Sequence, residues 1–189
     1  MKLFGRKTKK QIQKNQSDHN DDHPYKKREL IVVAHNIRSA HNVGSIFRTA
    51  DAAGVSKVYL TGYTPAPLDE HGRERKDLAK VALGAEQSVS WEHKKNVGSL
   101  LKNLHTEGNY IIGLEQSEKS FPLHWFSKKK ISQDYSGMVL IVGNEVRGMS
   151  DELIKKCDIL LQIPMKGEKE SLNVSVAFGI AVYALADAL

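Results

Sequence analysis

Three polar clusters hold the residues able to do chemistry, and each lies just beyond an apolar run that reads as a strand. The first is Asn42-Val43-Gly44-Ser45-Ile46-Phe47-Arg48-Thr49-Ala50. Asn42 can cap a helix there, Gly44 lets another backbone approach closely, and Arg48 follows somewhat under two helical turns later. An ordinary capped amphipathic helix with a solvated arginine fits the same segment. The second, Val142-Gly143-Asn144-Glu145-Val146-Arg147-Gly148-Met149-Ser150, turns straight out of a strand with glycines bracketing polar residues. Such a bend leaves backbone N–H and C=O groups free for a ligand, although a plain strand-to-helix turn looks the same. The third is Ile163-Pro164-Met165-Lys166-Gly167, followed by Ser171-Leu172-Asn173-Val174-Ser175-Val176-Ala177. It is a proline-fixed loop running into a helix that Ser171 or Asn173 can cap. His35 and His41 flank the loop after the first strand, and histidine is the usual base near neutral pH. Without a third ligand at suitable spacing they make a weak metal site. No G-x-G-x-x-G follows the first strand and no G-x-x-x-x-G-K-[ST] occurs, so dinucleotide and P-loop binding both lose support.

The elements that must position these clusters alternate short β-branched runs with longer helix-period segments, the pattern of parallel strands joined by crossover helices. An α/β domain follows, its parallel sheet flanked by helices. Expected strands are Leu30–Ala34, Lys57–Thr61, Gln87–Trp91, Tyr110–Leu114, Met138–Val142 and Ile159–Ile163. Expected helices are Asn42–Ala53, Val97–His105, Asp151–Lys156 behind the N-cap Ser150, and Leu172–Ala188. The last is apolar or small nearly all round, so it belongs in the interior or at a subunit contact. The proline-interrupted connections Gly62–Leu78 and Glu115–Ser136 read as surface loops.

Charge separates the chain into two parts. Residues 1–28 carry nine Lys/Arg against three acids, while residues 29–189 are neutral overall. The expectation is a basic, disordered tail before a single domain spanning 29–189, the tail suited to nonspecific phosphate contact or to solubility alone. Lys128-Lys129-Lys130 reads as a solvated loop, with RNA contact the alternative. Cys157 stands alone, which excludes internal disulfides and cysteine-clustered metal sites. No secretory signal and no membrane-spanning run is visible, so a cytoplasmic protein is expected.

Together the clusters resemble the SpoU/TrmH family of RNA methyltransferases, within the SPOUT superfamily. Its motifs run approximately N-x-G-x-x-x-R-x-A, then G-N-E-x-x-G, then I-P-M-x-G with S-L-N-V-S-x-A, and all three stand here in order. The likeness covers roughly residues 30–189. It implies a C-terminal trefoil knot, which no periodicity argument could supply, and a homodimer acting on structured RNA, tRNA or rRNA. It also implies S-adenosyl-L-methionine as cofactor, held by Leu114, Glu115, Gly143, Asn144, Ile163, Met165, Ser171 and Leu172, with no metal. Asn42, Arg48, Glu145, Ser171 and Asn173 match the positions the family associates with catalysis on a ribose 2′-hydroxyl. A guanidinium of pKa above ~12 is a poor base. Arg48 is therefore expected to grip phosphate and stabilise developing oxyanion charge, while Glu145 holds either Arg48 or a neighbouring backbone. Two rival functions are methylation of a base and noncatalytic RNA binding.

Overall fold

The computed structural model describes residues 28–126, 132 and 134–189; the basic segment through Lys27 and the run Lys128–Lys130 lie outside them. Val- and Ile-rich runs form the centre of the sheet: β1 (Glu29–His35), β2 (Lys57–Thr61), β4 (Asn109–Leu114) and β6 (Gly137–Val142). With β3 (Trp91–Lys94), β5 (Phe121–Pro122) and β7 (Ile159–Gln162) they make seven strands in the order β3-β2-β1-β6-β4-β7-β5. Every pairing is parallel. Successive strand residues face opposite ways, so β1 and β6 supply two cores. Leu30, Val32, Ala34, Met138, Leu140 and Val142 meet α1 (Ala40–Ala53) and α7 (Val174–Ala186). Ile31, Val33, Val139 and Ile141 lie under α4 (Val97–Thr106) and α6 (Asp151–Ile154). Burial on both faces explains why these strands read as unbroken apolar runs.

Several expected boundaries are corrected. Helix α1 begins at Ala40 behind Ser39, whose hydroxyl accepts the Asn42 N–H, so Asn42 is not the cap and its side chain is released for other partners. The connection expected over Gly62–Leu78 ends in helix α2 (Lys76–Ala82), which buries Leu78 and Ala82. A Cβ on Gly44 would lie 2.6 Å from the Leu78 carbonyl, so glycine permits this helix contact, as its place in the first cluster suggests.

The run Gln87–Trp91 alternates like a strand, yet only Trp91 belongs to β3. Ala85–Ser88 form the short helix α3 after Gly84 at φ 93°. Here the Glu86 carboxylate accepts the Gly84 N–H, and the Ser88 hydroxyl donates to Asp51 on α1, so tertiary contacts override the pattern. Glu115–Ser136 likewise contains β5 and α5 (Leu123–Phe126), whose Leu123 and Phe126 are buried. Pro122 sits on the sheet's edge, where a missing N–H is tolerated. Ser150 caps α6 as expected, but that helix stops at Ile154. Helix α7 starts at Val174 behind Asn173, leaving Leu172 in the preceding loop, and it ends at Ala186.

Candidate active site

The three clusters converge at the carboxyl ends of the strands, where open parallel sheets place their ligands. Glu145 leaves β6 and reaches the start of α1. Its carboxylate accepts the N–H groups of Arg38 (3.0 Å) and Ser39 (3.3 Å) and the amide of Asn42 (3.0 Å). The carboxylate thus serves backbone and Asn42, and Arg48 is not among its partners. An anion at a helix N-terminus is also favoured by the helix dipole. Burial pushes the Glu145 carboxyl up, but the bonds from Arg38, Asn42, its own backbone and Ser39 outweigh that and hold it below its ordinary range.

From Asn42 the network continues. Its side-chain oxygen accepts from the Asn173 amide at 3.1 Å, and the Asn173 oxygen accepts from the Ser175 N–H (2.8 Å) and hydroxyl (2.7 Å). One chain of hydrogen bonds therefore ties Glu145, Asn42 and Asn173, a residue from each cluster, across more than a hundred positions of sequence.

Beside it opens a cavity of about 210 Å³ lined by all eight residues that the family resemblance gives as cofactor contacts, together with Glu145. The lining also includes Gln116, Val142, Val146, Gly148, Gln162, Val174 and Ala177. Two of the eight have their side chains committed within the protein. The Glu115 carboxylate accepts the N–H groups of Met149 (2.8 Å) and Gln116 (3.2 Å). The Asn144 oxygen accepts those of Val146 (2.9 Å) and Arg147 (2.8 Å), while its amide donates to the Asn36 carbonyl and the Tyr63 hydroxyl. Gly143 is needed by the protein itself, since a Cβ there would meet Met149 at 2.7 Å and the Gly148 backbone at 2.9 Å. Ser171 and Leu172 are exposed at the rim.

Arg48 stands apart. It is exposed on α1, is absent from the cavity lining, and has no partner among the described residues. His35 has both ring nitrogens engaged, Nδ1 2.9 Å from the Thr61 hydroxyl and Nε2 accepting the Asn36 amide at 2.9 Å, and burial lowers its pKa. With both nitrogens bonded inside the protein, it offers no free lone pair to a substrate proton, which weakens its candidacy as a base. His41 lies exposed on α1. Burial pushes the Cys157 thiol up to about 12, which leaves it unreactive.

Sequence reasoning did not find Arg38 and Ser39 as partners of Glu145, Tyr63 as a partner of Asn144, or Gln162 and Ala177 in the lining. These depend on pairings over long separations that leave no local signal.

The model of the SpoU rRNA methylase family matches residues 29–183. The 23S rRNA (guanosine-2′-O-)-methyltransferase RlmB of Ralstonia nicotianae is 33% identical over 156 residues, 82% of this chain and 57% of that protein. The tRNA (guanosine(18)-2′-O)-methyltransferase of Aquifex aeolicus is 36% identical over 162 residues, 84% of this chain and 69% of that one. Among solved structures, the AdoMet-bound rRNA methyltransferase from Sinorhizobium meliloti has a TM-score of 0.71 at 25% identity, covering 87% of this chain and 58% of that one. This chain thus spans little more than half the length of its Ralstonia relative.

Proposed function

The chain belongs to the SpoU rRNA methylase family, and on that premise we propose that it moves a methyl group from S-adenosyl-L-methionine to a ribose 2′-hydroxyl of tRNA or rRNA. The observation that carries this reading is the hydrogen-bonded chain Glu145–Asn42–Asn173 standing beside the cavity. Apolar Leu114, Val142, Ile163, Met165, Leu172 and Ala177 suit an adenine ring, and the Glu115 and Glu145 carboxylates give the site a negative field suited to a sulfonium cation. The donor set therefore fits the cofactor, which would supply an electrophilic methyl group and need no metal.

The chain's own residues would do the rest. Asn42 and Asn173 position the ribose, Ser171 and Leu172 close the rim, and Arg48 holds the phosphate beside the target and stabilises developing charge on oxygen. Phosphate or water takes the proton. The same reading includes the trefoil knot, supported by β7 lying between β4 and β5, which obliges the chain to return between two consecutive strands. It also includes a cytoplasmic setting; among the described residues no helix is long and apolar enough to cross a membrane.

Isothermal calorimetry is expected to show one S-adenosyl-L-methionine per protomer. A folded protein that binds neither this compound nor its demethylated product would refute the assignment.

A homodimer belongs to the reading as well. Val176, Ile180 and Tyr183 are 45–51% exposed and recur at helical spacing along the outer face of α7, and Leu172, 38% exposed, stands in the loop that leads into it. Leu172 also lines the cavity, so a subunit covering this stripe would approach the site and the neighbouring α1 that carries Arg48. Light scattering is expected to give a dimer at micromolar concentration and a shift toward monomer in Ile180→Asp. A monomeric parent chain would refute it.

A further inference from the structure

The turns that leave β1 and β2 are latched together. The Thr64 hydroxyl lies 2.8 Å from the Thr61 carbonyl and 3.0 Å from that of Ala34, and it accepts the Ile37 N–H at 3.1 Å. Asn36 sits at φ 56°, in the left-handed region that asparagine tolerates better than most non-glycine residues. Its side-chain oxygen accepts the Tyr63 N–H at 3.3 Å, and its carbonyl accepts the Asn144 amide at 2.9 Å. That amide also donates to the Tyr63 hydroxyl at 2.9 Å. Tyr63 is thereby fixed at both ends, by its backbone and by its hydroxyl.

Tyr63 is nevertheless 59% exposed, and no described aromatic ring packs on it. A closed set of hydrogen bonds that holds an aromatic ring in water asks for an external partner. The charges carried on the same turns indicate which. Arg38 follows Asn36 by two residues, and Arg147 has its N–H held by Asn144. Both are exposed, and neither guanidinium has a partner among the described residues. The backbone N–H groups of Arg38 and Arg147 bond to Glu145 and Asn144, which line the cavity, whereas Tyr63, Arg38 and Arg147 do not line it.

Resting on the methyltransferase reading above, we propose that Tyr63 is a stacking platform for an unpaired base of the substrate RNA beside the cavity, with Arg38 and Arg147 on the adjoining phosphates. A pre-oriented ring loses little entropy on binding, and every base offers it a π-face. The platform contributes to binding and does not enter the chemical step, so it acts on KM.

The test compares the full chain with Tyr63→Ala, Tyr63→Leu and Tyr63→Phe in tritiated methyl transfer to total RNA from cells deleted for the gene. Cofactor calorimetry and light scattering accompany each variant. Tyr63→Ala and Tyr63→Leu are expected to raise KM for RNA roughly 10- to 100-fold, the scale of losing one base–aromatic stack, with kcat, cofactor affinity and assembly unchanged. Tyr63→Phe keeps the ring but loses the bond from the Asn144 amide, so its KM should lie between that of the parent and that of Tyr63→Ala. An unchanged KM in Tyr63→Ala, or its restoration by leucine, overturns the platform. So does a KM change accompanied by lost cofactor affinity or altered assembly, which would make the ring a structural or subunit contact. If the parent chain methylates no RNA, the functional reading itself has failed. Anisotropy with fluorescein-labelled oligoadenylate then judges the platform alone: weaker binding by Tyr63→Ala supports it, and equal binding overturns it.

Discussion

Arg48→Ala is expected to lower turnover roughly 10²–10³-fold, the scale seen when one donor to a developing oxyanion is removed. The expectation rests on where the side chain stands. It is exposed on α1, has no partner among the described residues, and lines no part of the cavity, so no structural or cofactor-binding duty accounts for its charge. Cofactor affinity and thermal stability should therefore survive the change. Arg48→Lys should recover little, because one ammonium cannot reproduce a planar two-point grip on phosphate. The measurement is single-turnover methyl transfer to RNA, with cofactor titration of each variant. Turnover near that of the parent would remove Arg48 from the chemistry, whereas lost folding would reassign it to structure.

Glu145→Ala is expected to damage both stability and activity. It leaves the Arg38 and Ser39 N–H groups and the Asn42 amide without their shared acceptor. The cost should be about 1 kcal/mol, at the low end for lost hydrogen bonds because the carboxylate is partly exposed and water replaces it in part. Turnover should fall more steeply, by roughly tenfold or more, since Asn42 and Asn173 lose the anchor that orients them.

Acid provides a second readout. The folded carboxyl titrates below its ordinary value of 4.5, so the unfolded chain takes up the proton first as pH falls. Its stabilising contribution is complete above 4.5 and is lost as pH drops through the folded value. The stability gap between the parent and Glu145→Gln, followed by thermal melting from neutral into acid, should accordingly close below that point. A gap that persists unchanged at low pH would show that the carboxylate's charge contributes nothing.

The sequence by itself determined the fold class, the central strands and the three clusters. Runs such as Leu30–Ala34 and Met138–Val142 can be satisfied only where both sheet faces are covered, and this is legible from side-chain hydrophobicity alone. The motif residues were legible as well, because glycines, prolines and capping groups act on their own backbone neighbours. Tertiary structure decided the rest. Gln87–Ser90 alternate like a strand but lie outside β3, with Gln87 and Ser88 in a helical turn that bonds to Asp51. Asn42 looks like a cap yet is displaced from that role by Ser39, and the displacement frees it to join Glu145 to Asn173. Whether Glu145 would hold Arg48 or backbone could not be read from spacing, because the partners it takes lie over a hundred residues away. Local chemistry fixes which groups are available, and strand order fixes which of them meet, because parallel pairing brings the ends of β1, β4, β6 and β7 together irrespective of their distance along the chain.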